Sequence, residues 1–154
     1  MAENRVIGKN NSIPWSNKQD MEHFRELTKG SPCIMGRKTW ESLPRKPLPG
    51  RLNIVVSKSL PISAALGAVV LPSLQTAIEI CAAYEKIFIC GGETIYRQAM
   101  EVANKIELTI IHKQYEGDTY FPNIDDCWDV ICRESYDALS FFTYIKDIDP
   151  NKEQ

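Results

Sequence analysis

The sequence predicts an α/β fold: a three-layer sandwich in which helices cover one central, mostly parallel sheet, with an antiparallel hairpin at its C-terminal end. Two observations predict it. Short apolar runs rich in β-branched residues alternate with segments whose apolar residues keep helical spacing. The last two apolar runs, near 127–133 and 139–147, have no helical segment between them, which favours an antiparallel pair. With 154 residues, 44% of them hydrophobic, the chain has the size of one domain over 1–154.

Each element follows from its local pattern. Residues 5–8 form a brief apolar turn before a polar loop, and the three prolines of 44–50 predict a fixed loop. Apolar runs bounded by turn residues predict the strands, which lie near 33–35, 52–56, 68–71, 86–90, 105–112, 127–133 and 139–147. Apolar residues at helical spacing predict the helices, which lie near 17–28, 37–43, 73–83 and 93–102.

The first helix carries a carboxylate on its apolar face. Ser16 and Gln19 fit a capping-box pattern at its start. Asp20 and Phe24 are four residues apart, so they share one face of the helix. An aspartate in a first turn is commonly a solvated partner of the helix dipole. The other interpretation is a functional carboxylate that faces a pocket.

Charge is distributed unevenly along the chain, although the net charge is only −2. Residues 37–58 contain six basic residues and one acid, Glu41, whereas residues 116–154 contain ten acids and three bases. A short basic segment indicates one local anionic ligand, because nucleic acid binding needs a broader basic face. No apolar run is long enough to span a bilayer and no leader is visible. We therefore expect a cytoplasmic protein that binds neither nucleic acid nor membranes.

Glycine, hydroxyl and basic residues follow the ends of three predicted strands. Gly91-Gly92 lies between a strand and a helix, Gly36-Arg37-Lys38-Thr39 follows a second strand, and Ser57-Lys58 follows a third. Glycines let the backbone approach a phosphate, and the carboxyl ends of parallel strands gather at one edge, where nucleotides bind. Each motif alone is compatible with a tight turn or a solvated surface. Together they predict an anionic cofactor.

The remaining candidates are one arginine, two histidines and the cysteines. Arg51 follows the rigid Pro49-Gly50 turn, and its guanidinium suits a carboxylate ligand; a structural salt bridge is an equally good interpretation. His23 and His112 lack the spacing of metal ligands, and we interpret them as surface or strand residues. The five cysteines contain no CxxC pair, so they predict neither a metal site nor disulfides, but buried thiols in a reducing compartment.

Taken in order, these segments resemble the dihydrofolate reductase family over nearly the whole chain. The matching pieces are Arg5-Val6-Ile7-Gly8, Ile13-Pro14-Trp15, Asp20 with Phe24, Ile34-Met35-Gly36-Arg37-Lys38-Thr39-Trp40-Glu41-Ser42, Leu48-Pro49-Gly50-Arg51-Leu52-Asn53-Ile54-Val55, Cys90-Gly91-Gly92-Glu93-Thr94-Ile95-Tyr96 and Glu116-Gly117-Asp118-Thr119-Tyr120-Phe121-Pro122. The resemblance implies reduction of 7,8-dihydrofolate to 5,6,7,8-tetrahydrofolate, with hydride transfer from NADPH to C6 and protonation of N5. It also implies that antifolate inhibitors bind and that the protein is a monomer.

The resemblance assigns roles to individual residues. It implies that the catalytic residues are Asp20, Trp15 and Thr109. It implies that the residues around the substrate are Asp20, Phe24, Leu43, Arg51, Cys90, Tyr96 and Thr109. It implies that the residues around NADPH are Ile7, Gly8, Ile13, Gly36, Arg37, Lys38, Thr39, Ser57, Lys58, Gly91, Gly92, Glu93, Thr94 and Ile95. No metal ligand is implied.

The resemblance also implies a catalytic role for the first helix. A poorly solvated Asp20 carboxylate between Trp15 and Phe24 holds the aminopyrimidine edge when charged and helps a proton travel when protonated. The resemblance also implies that Ile13-Pro14-Trp15 belongs to a mobile loop that closes over the nicotinamide. The family's Gly-Gly bond, here Gly91-Gly92, is cis.

The chain departs from the family at its start, where only Met1 precedes Ala2 in place of the family's first apolar strand. Either the true start lies upstream or another segment fills that position; we expect an upstream start. This departure keeps open a catalytically impaired protein that binds folate and NADPH. A pyrimidine reductase of the riboflavin pathway, which shares the fold, is the other alternative. Arg51 favours folate, because a ribosylated pyrimidine has no glutamate tail for it to bind.

Overall fold

Strands and helices alternate along the chain as the sequence predicts, and the computed structural model describes residues 1–147. The strands are β1 (Val6–Gly8), β2 (Cys33–Gly36), β3 (Asn53–Val56), β4 (Val69–Leu71), β5 (Phe88–Ile89), β6 (Lys105–Ile111), β7 (Thr119–Tyr120), β8 (Trp128–Ser135) and β9 (Leu139–Lys146). The helices are α1 (Lys18–Thr28), α2 (Arg37–Ser42), α3 (Leu74–Ile80) and α4 (Glu93–Ala99), with a 3₁₀ turn at Ile62–Ala64.

The central strands are parallel and the C-terminal strands antiparallel, which confirms the predicted fold class. Strands β4, β3, β2 and β5 form a parallel sheet in that order, and β6, β9 and β8 form an antiparallel sheet. Within residues 1–147 no hydrogen-bonded ladder joins β5 to β6, so the strands divide there into two sheets. The edge of β6 at that division carries the first residues of the chain, where the Ile111 N–H donates to the Met1 carbonyl at 2.8 Å.

Residues 5–8 were expected to form a turn, but the structure corrects this: they contain β1, which pairs antiparallel with β7. Val6 lies opposite Tyr120, a partner more than a hundred residues away. A three-residue strand leaves no alternation long enough to detect, so only its distant partner defines it.

The expected N-cap of the first helix, Ser16, is also wrong. Asn17 is the cap: its backbone is extended, and its side-chain oxygen accepts a hydrogen bond from the Asp20 N–H at 2.9 Å. Asparagine and serine cap about equally well, so composition alone does not choose between adjacent candidates. The extended backbone at residue 17 identifies Asn17 as the cap.

The parallel sheet is packed on both faces, which gives the predicted three layers. On one face, Ile34 and Ile54 contact buried residues of α3 and α4. On the other face, Met35 and Val55 pack around Trp40 of α2. Because β2, β3 and β5 run parallel, their carboxyl ends lie at a single edge of the sheet.

Replacing Asn17 by alanine should lower the free energy of unfolding by about 1 kcal/mol, because it removes the acceptor for a free N–H of α1. Ser16→Ala is the matched control, since Ser16 lies one residue outside the cap. Urea denaturation followed by circular dichroism measures both. A larger loss for the Ser16 variant would contradict the assignment of the cap.

Candidate active site

Two glycine corners meet at the carboxyl edge of the parallel sheet. The Gly36 N–H donates to the Gly91 carbonyl at 2.8 Å, joining the end of β2 to the residues after β5. A Cβ on Gly36 would lie 3.2 Å from Ile95 Cγ1, and one on Gly92 would lie 3.3 Å from Thr39 Oγ1. A side chain at either glycine would therefore crowd its neighbour, and backbone atoms form this part of the edge.

The Gly91–Gly92 peptide bond is cis, in agreement with the resemblance. Gly91 has a φ of +109°, and a Cβ there would lie 3.2 Å from the Tyr96 ring. Removal from water raises the pKa of the Tyr96 phenol, and the nearby Cys90 and Asp20 side chains raise it further. The tyrosine is therefore a neutral hydrogen-bonding group beside the glycine corner.

The predicted basic cluster, defined as Arg37, Lys38 and Lys58, follows the same strand ends. Arg37 is the first residue of α2, and its guanidinium contacts the Glu41 carboxylate at 2.9 Å. Lys38 and Lys58 are exposed, and neither has an acidic partner within residues 1–147. The Ser57 hydroxyl oxygen accepts from the Leu60 N–H at 3.1 Å, and within residues 1–147 the hydroxyl donates to no acceptor. The edge therefore carries positive charge with little internal compensation.

Helix α4 carries the predicted cofactor residues Glu93, Thr94 and Ile95 in its first turn. The Glu93 carboxylate accepts from the Tyr120 N–H at 2.9 Å and lies 3.6 Å from Arg97. Ile95 is buried in the core beneath the parallel sheet, and Thr94 is exposed. Glu93 and Ile95 thus fix α4 in place, while Thr94 remains available at its surface.

Asp20 lies half-buried in the first turn of α1. Within residues 1–147 its carboxylate has neither a hydrogen-bond donor nor an ion-pair partner. Its negative charge contributes to raising the pKa of Tyr96 and partly offsets the lowering of the Met1 amino-group pKa by burial, so the carboxylate lies near both groups. Trp15 packs against Tyr115 with ring centroids 5.3 Å apart, while Ile13 is 62% exposed.

Arg51 is held in place by neutral groups. Its Nη1 donates to the Thr28 hydroxyl at 3.0 Å, its Nε donates to the Pro49 carbonyl at 2.9 Å, and its guanidinium lies 5.9 Å from the Phe24 ring centroid. The alternative of a structural salt bridge is wrong, because no Asp or Glu of residues 1–147 pairs with this half-buried cation. A fixed and uncompensated guanidinium is suited to a carboxylate from outside the chain.

Three other residues predicted at the substrate, Leu43, Cys90 and Thr109, lie in two different environments. Leu43 and Cys90 pack in the cluster around Trp40, where a hydrogen bond to Cys33 and burial raise the pKa of the Cys90 thiol. The Thr109 carbonyl accepts from the Met1 amino group at 2.6 Å, and among the described residues no side-chain hydrogen bond joins Thr109 to Asp20.

Ile7 and Gly8 belong to β1, at the start of the loop that contains Ile13. The Gly8 carbonyl accepts from the Asp118 N–H, and the Asp118 carboxylate accepts from the Asn10 N–H, both at 3.0 Å. Sequence reasoning missed Asp118 as an anchor of this loop, although Gly117-Asp118 lies within a matching piece.

Two other side chains have roles that their sequence positions did not reveal. Thr28 is buried at the end of α1 and holds Arg51. His23 was interpreted as a surface or strand residue, but it is half-buried and stacks on Phe141 with centroids 3.9 Å apart, fixing α1 against β9. The sequence offered one indication for Thr28: it is a polar residue at the end of the apolar face of the first helix.

These features define an α/β protein in which a glycine corner and basic residues lie at one edge of a parallel sheet, and in which Asp20 and Arg51 are half-buried without a salt bridge among the described residues. A family profile described as dihydrofolate reductase matches residues 1–145. The chain belongs to the dihydrofolate reductase family.

Individual relatives agree with the family. The dihydrofolate reductase of Neisseria gonorrhoeae is 49% identical over 124 residues, covering 80% of this chain and 76% of that protein. The Bacillus subtilis enzyme is 42% identical over 135 residues, covering 87% and 79%. The structure of dihydrofolate reductase from Enterococcus faecalis, complexed with NADP(H) and RAB-propyl, is similar with a TM-score of 0.86 at 31% identity, covering 96% of this chain and 92% of that one.

Replacing Gly91 by alanine should destabilise the protein by more than about 1 kcal/mol, because a positive φ is strained for alanine and the new Cβ crowds the Tyr96 ring. Gly30→Ala is the matched control: Gly30 has a φ of +75° but nothing within 4 Å of a Cβ. Thermal unfolding of the two variants separates crowding from backbone strain. Equal losses would show that Tyr96 does not constrain Gly91.

Proposed function

We propose that this chain catalyses the NADPH-dependent reduction of 7,8-dihydrofolate to 5,6,7,8-tetrahydrofolate. The observation that carries the proposal is the half-buried Asp20 carboxylate, which has no hydrogen-bond donor or salt bridge among residues 1–147 and whose charge raises the pKa of Tyr96 beside the glycine corner. Family membership and the names of the relatives support this reaction over a riboflavin-pathway reductase or an impaired binding protein.

The residues at the sheet edge fit a dinucleotide. A Cβ at Gly36, Gly91 or Gly92 would crowd Ile95, Tyr96 or Thr39, so backbone forms this corner, and Lys38 and Lys58 offer charge for phosphates. We assign Arg37, Thr39 and Ser57 to the same phosphates, and Ile7, Ile13 and Tyr96 to the nicotinamide side. NADPH supplies the hydride when bound, so the protein's task is orientation and exclusion of water.

The substrate side is assigned from the two unpaired charges. We propose that Arg51 binds the α-carboxylate of the substrate's glutamate, held by Thr28 and stacked beside Phe24. Phe24, Leu43 and Cys90 form apolar walls for the rings. Asp20 binds the aminopyrimidine edge of the pterin and steers a proton toward N5, with Trp15 and Thr109 completing the proton-transfer region.

The loop between β1 and α1 is assigned to closure over the bound rings. The Asp118 contacts hold the loop near Gly8 and Asn10, and the Trp15–Tyr115 contact holds it at the other end. Closure at this position removes water from the reacting atoms.

We further propose that the protein acts as a monomeric single domain in the cytoplasm and that antifolates bind the pocket of Asp20 and Arg51. In the described chain, no helix has the length and apolar character needed to cross a membrane. Sedimentation equilibrium of the full chain tests the monomer, and a dimer at micromolar concentration would contradict it.

Asp20→Asn should retain NADPH binding but lose most dihydrofolate-dependent NADPH oxidation at pH 7, by about 100-fold or more, because the amide cannot take up and pass on a proton. Absorbance at 340 nm measures turnover, and quenching of protein fluorescence measures NADPH binding. Glu22→Asn, on the same helix, is the control for a lost surface carboxylate. Unchanged turnover in the Asp20 variant would remove this residue from the mechanism.

Arg51→Gln should raise the KM for dihydrofolate by about tenfold or more with little change in kcat, because it removes a charge-assisted hydrogen bond to the substrate's carboxylate. Thr28→Val, which removes one anchor of the guanidinium, should raise the KM less. Dihydropteroate, which lacks the glutamate, provides the control substrate. An equal loss with both substrates would show that Arg51 supports the fold rather than the carboxylate.

A further inference from the structure

Glu41 is the residue of the basic segment that anion binding does not explain. It is the sole acid among residues 37–58, where the other six charges are positive. Its carboxylate oxygens lie 2.9 Å and 3.2 Å from Nη1 of Arg37. The only acid of the segment is therefore paired with the arginine that directly follows Gly36.

Helix stability does not account for this pair. Arg37 is the first residue of α2 and Glu41 lies near its end, so each charge is at the helix end where the backbone dipole opposes it. The two side chains are 43% and 46% exposed, and exposed pairs of this kind contribute little to stability. The reverse order of the two residues would serve the helix better.

The pair also leaves most of the guanidinium unused. A single nitrogen, Nη1, contacts both carboxylate oxygens, and within residues 1–147 neither Nε nor Nη2 of Arg37 has a hydrogen-bond acceptor. A phosphate can take two parallel N–H bonds from one arginine and can also attract Lys38 and Lys58. An incoming phosphate can therefore bind the free Nε and Nη2 edge of Arg37, but it then lies beside the Glu41 carboxylate on Nη1, whose negative charge repels it.

We propose that Glu41 is a specificity-determining residue whose carboxylate, held on Arg37, repels the cofactor's 2′-phosphate and so reduces the preference for NADPH over NADH. The inference rests on the proposed function, which assigns Arg37 to the cofactor phosphates, and it takes the 2′-phosphate to be the one that Arg37 binds. A carboxylate that stays on Nη1 of Arg37 partly neutralises the guanidinium and weakens binding of a 2′-phosphate. It leaves a nucleotide without that group unaffected.

The test compares 2′,5′-ADP with 5′-AMP, which differ in the 2′-phosphate alone, by isothermal titration calorimetry on the full chain. Glu41→Gln keeps the size of the side chain and removes its charge. We expect it to bind 2′,5′-ADP about two- to threefold more tightly and 5′-AMP unchanged, with the gain lost at about 1 M salt. Glu22→Gln is the matched control, since it removes the acid of another exposed pair, 3.9 Å from Lys18 on α1, and should change neither affinity.

The Arg37→Gln background shows whether Glu41 acts through Arg37. There we expect Glu41→Gln to give no further gain. The inference is overturned if Glu41→Gln leaves 2′,5′-ADP binding unchanged, tightens both nucleotides equally, or still tightens 2′,5′-ADP without Arg37. Absence of NADPH binding and turnover in the unmodified chain would instead overturn the proposed function, and this inference with it.

Discussion

The contact between the ends of β2 and β5 is the constraint on which the rest of the site depends. The hydrogen bond from the Gly36 N–H to the Gly91 carbonyl closes the sheet edge, and side chains at Gly36 or Gly91 would lie 3.2 Å from Ile95 or Tyr96. This approach places the basic turn at the start of α2 against the corner that carries Tyr96. The phosphate side and the ring side of the site are neighbours because these backbones touch.

Two charges of the proposed site, Asp20 and Arg51, are in no salt bridge of the described residues. Within the described residues, ion pairs join Lys9 to Glu116, Lys18 to Glu22, Arg37 to Glu41 and Arg97 to Glu93, and none includes Asp20 or Arg51. A half-buried charge without a partner loses hydration and gains no internal ion pair in return. Arg51 is therefore costly to hold in place without its ligand, and three neutral contacts keep it there.

The local spacing of apolar residues was enough to predict most of the strands and helices, because the periodicity of each element is visible in residues close in sequence. It also placed Gly36, Ser57 and Gly91 at one edge, since parallel strands end on the same side. Contacts between distant residues could not be predicted this way. The pairing of β1 with β7, the stack of His23 on Phe141 and the support of Arg51 by Thr28 each depend on a partner that the tertiary fold supplies.

The loop before α1 is held by such distant contacts. Its polar attachments, the Asp118–Asn10 hydrogen bond and the Lys9–Glu116 ion pair, are exposed and join residues more than a hundred positions apart. Exposed bonds of this kind contribute about 1 kcal/mol or less each, so they form and break easily. The Trp15–Tyr115 contact is half-buried and holds the other end of the loop. A segment held weakly at one end and firmly at the other can open for ligands and return to the same closed position, which the proposed hydride transfer requires.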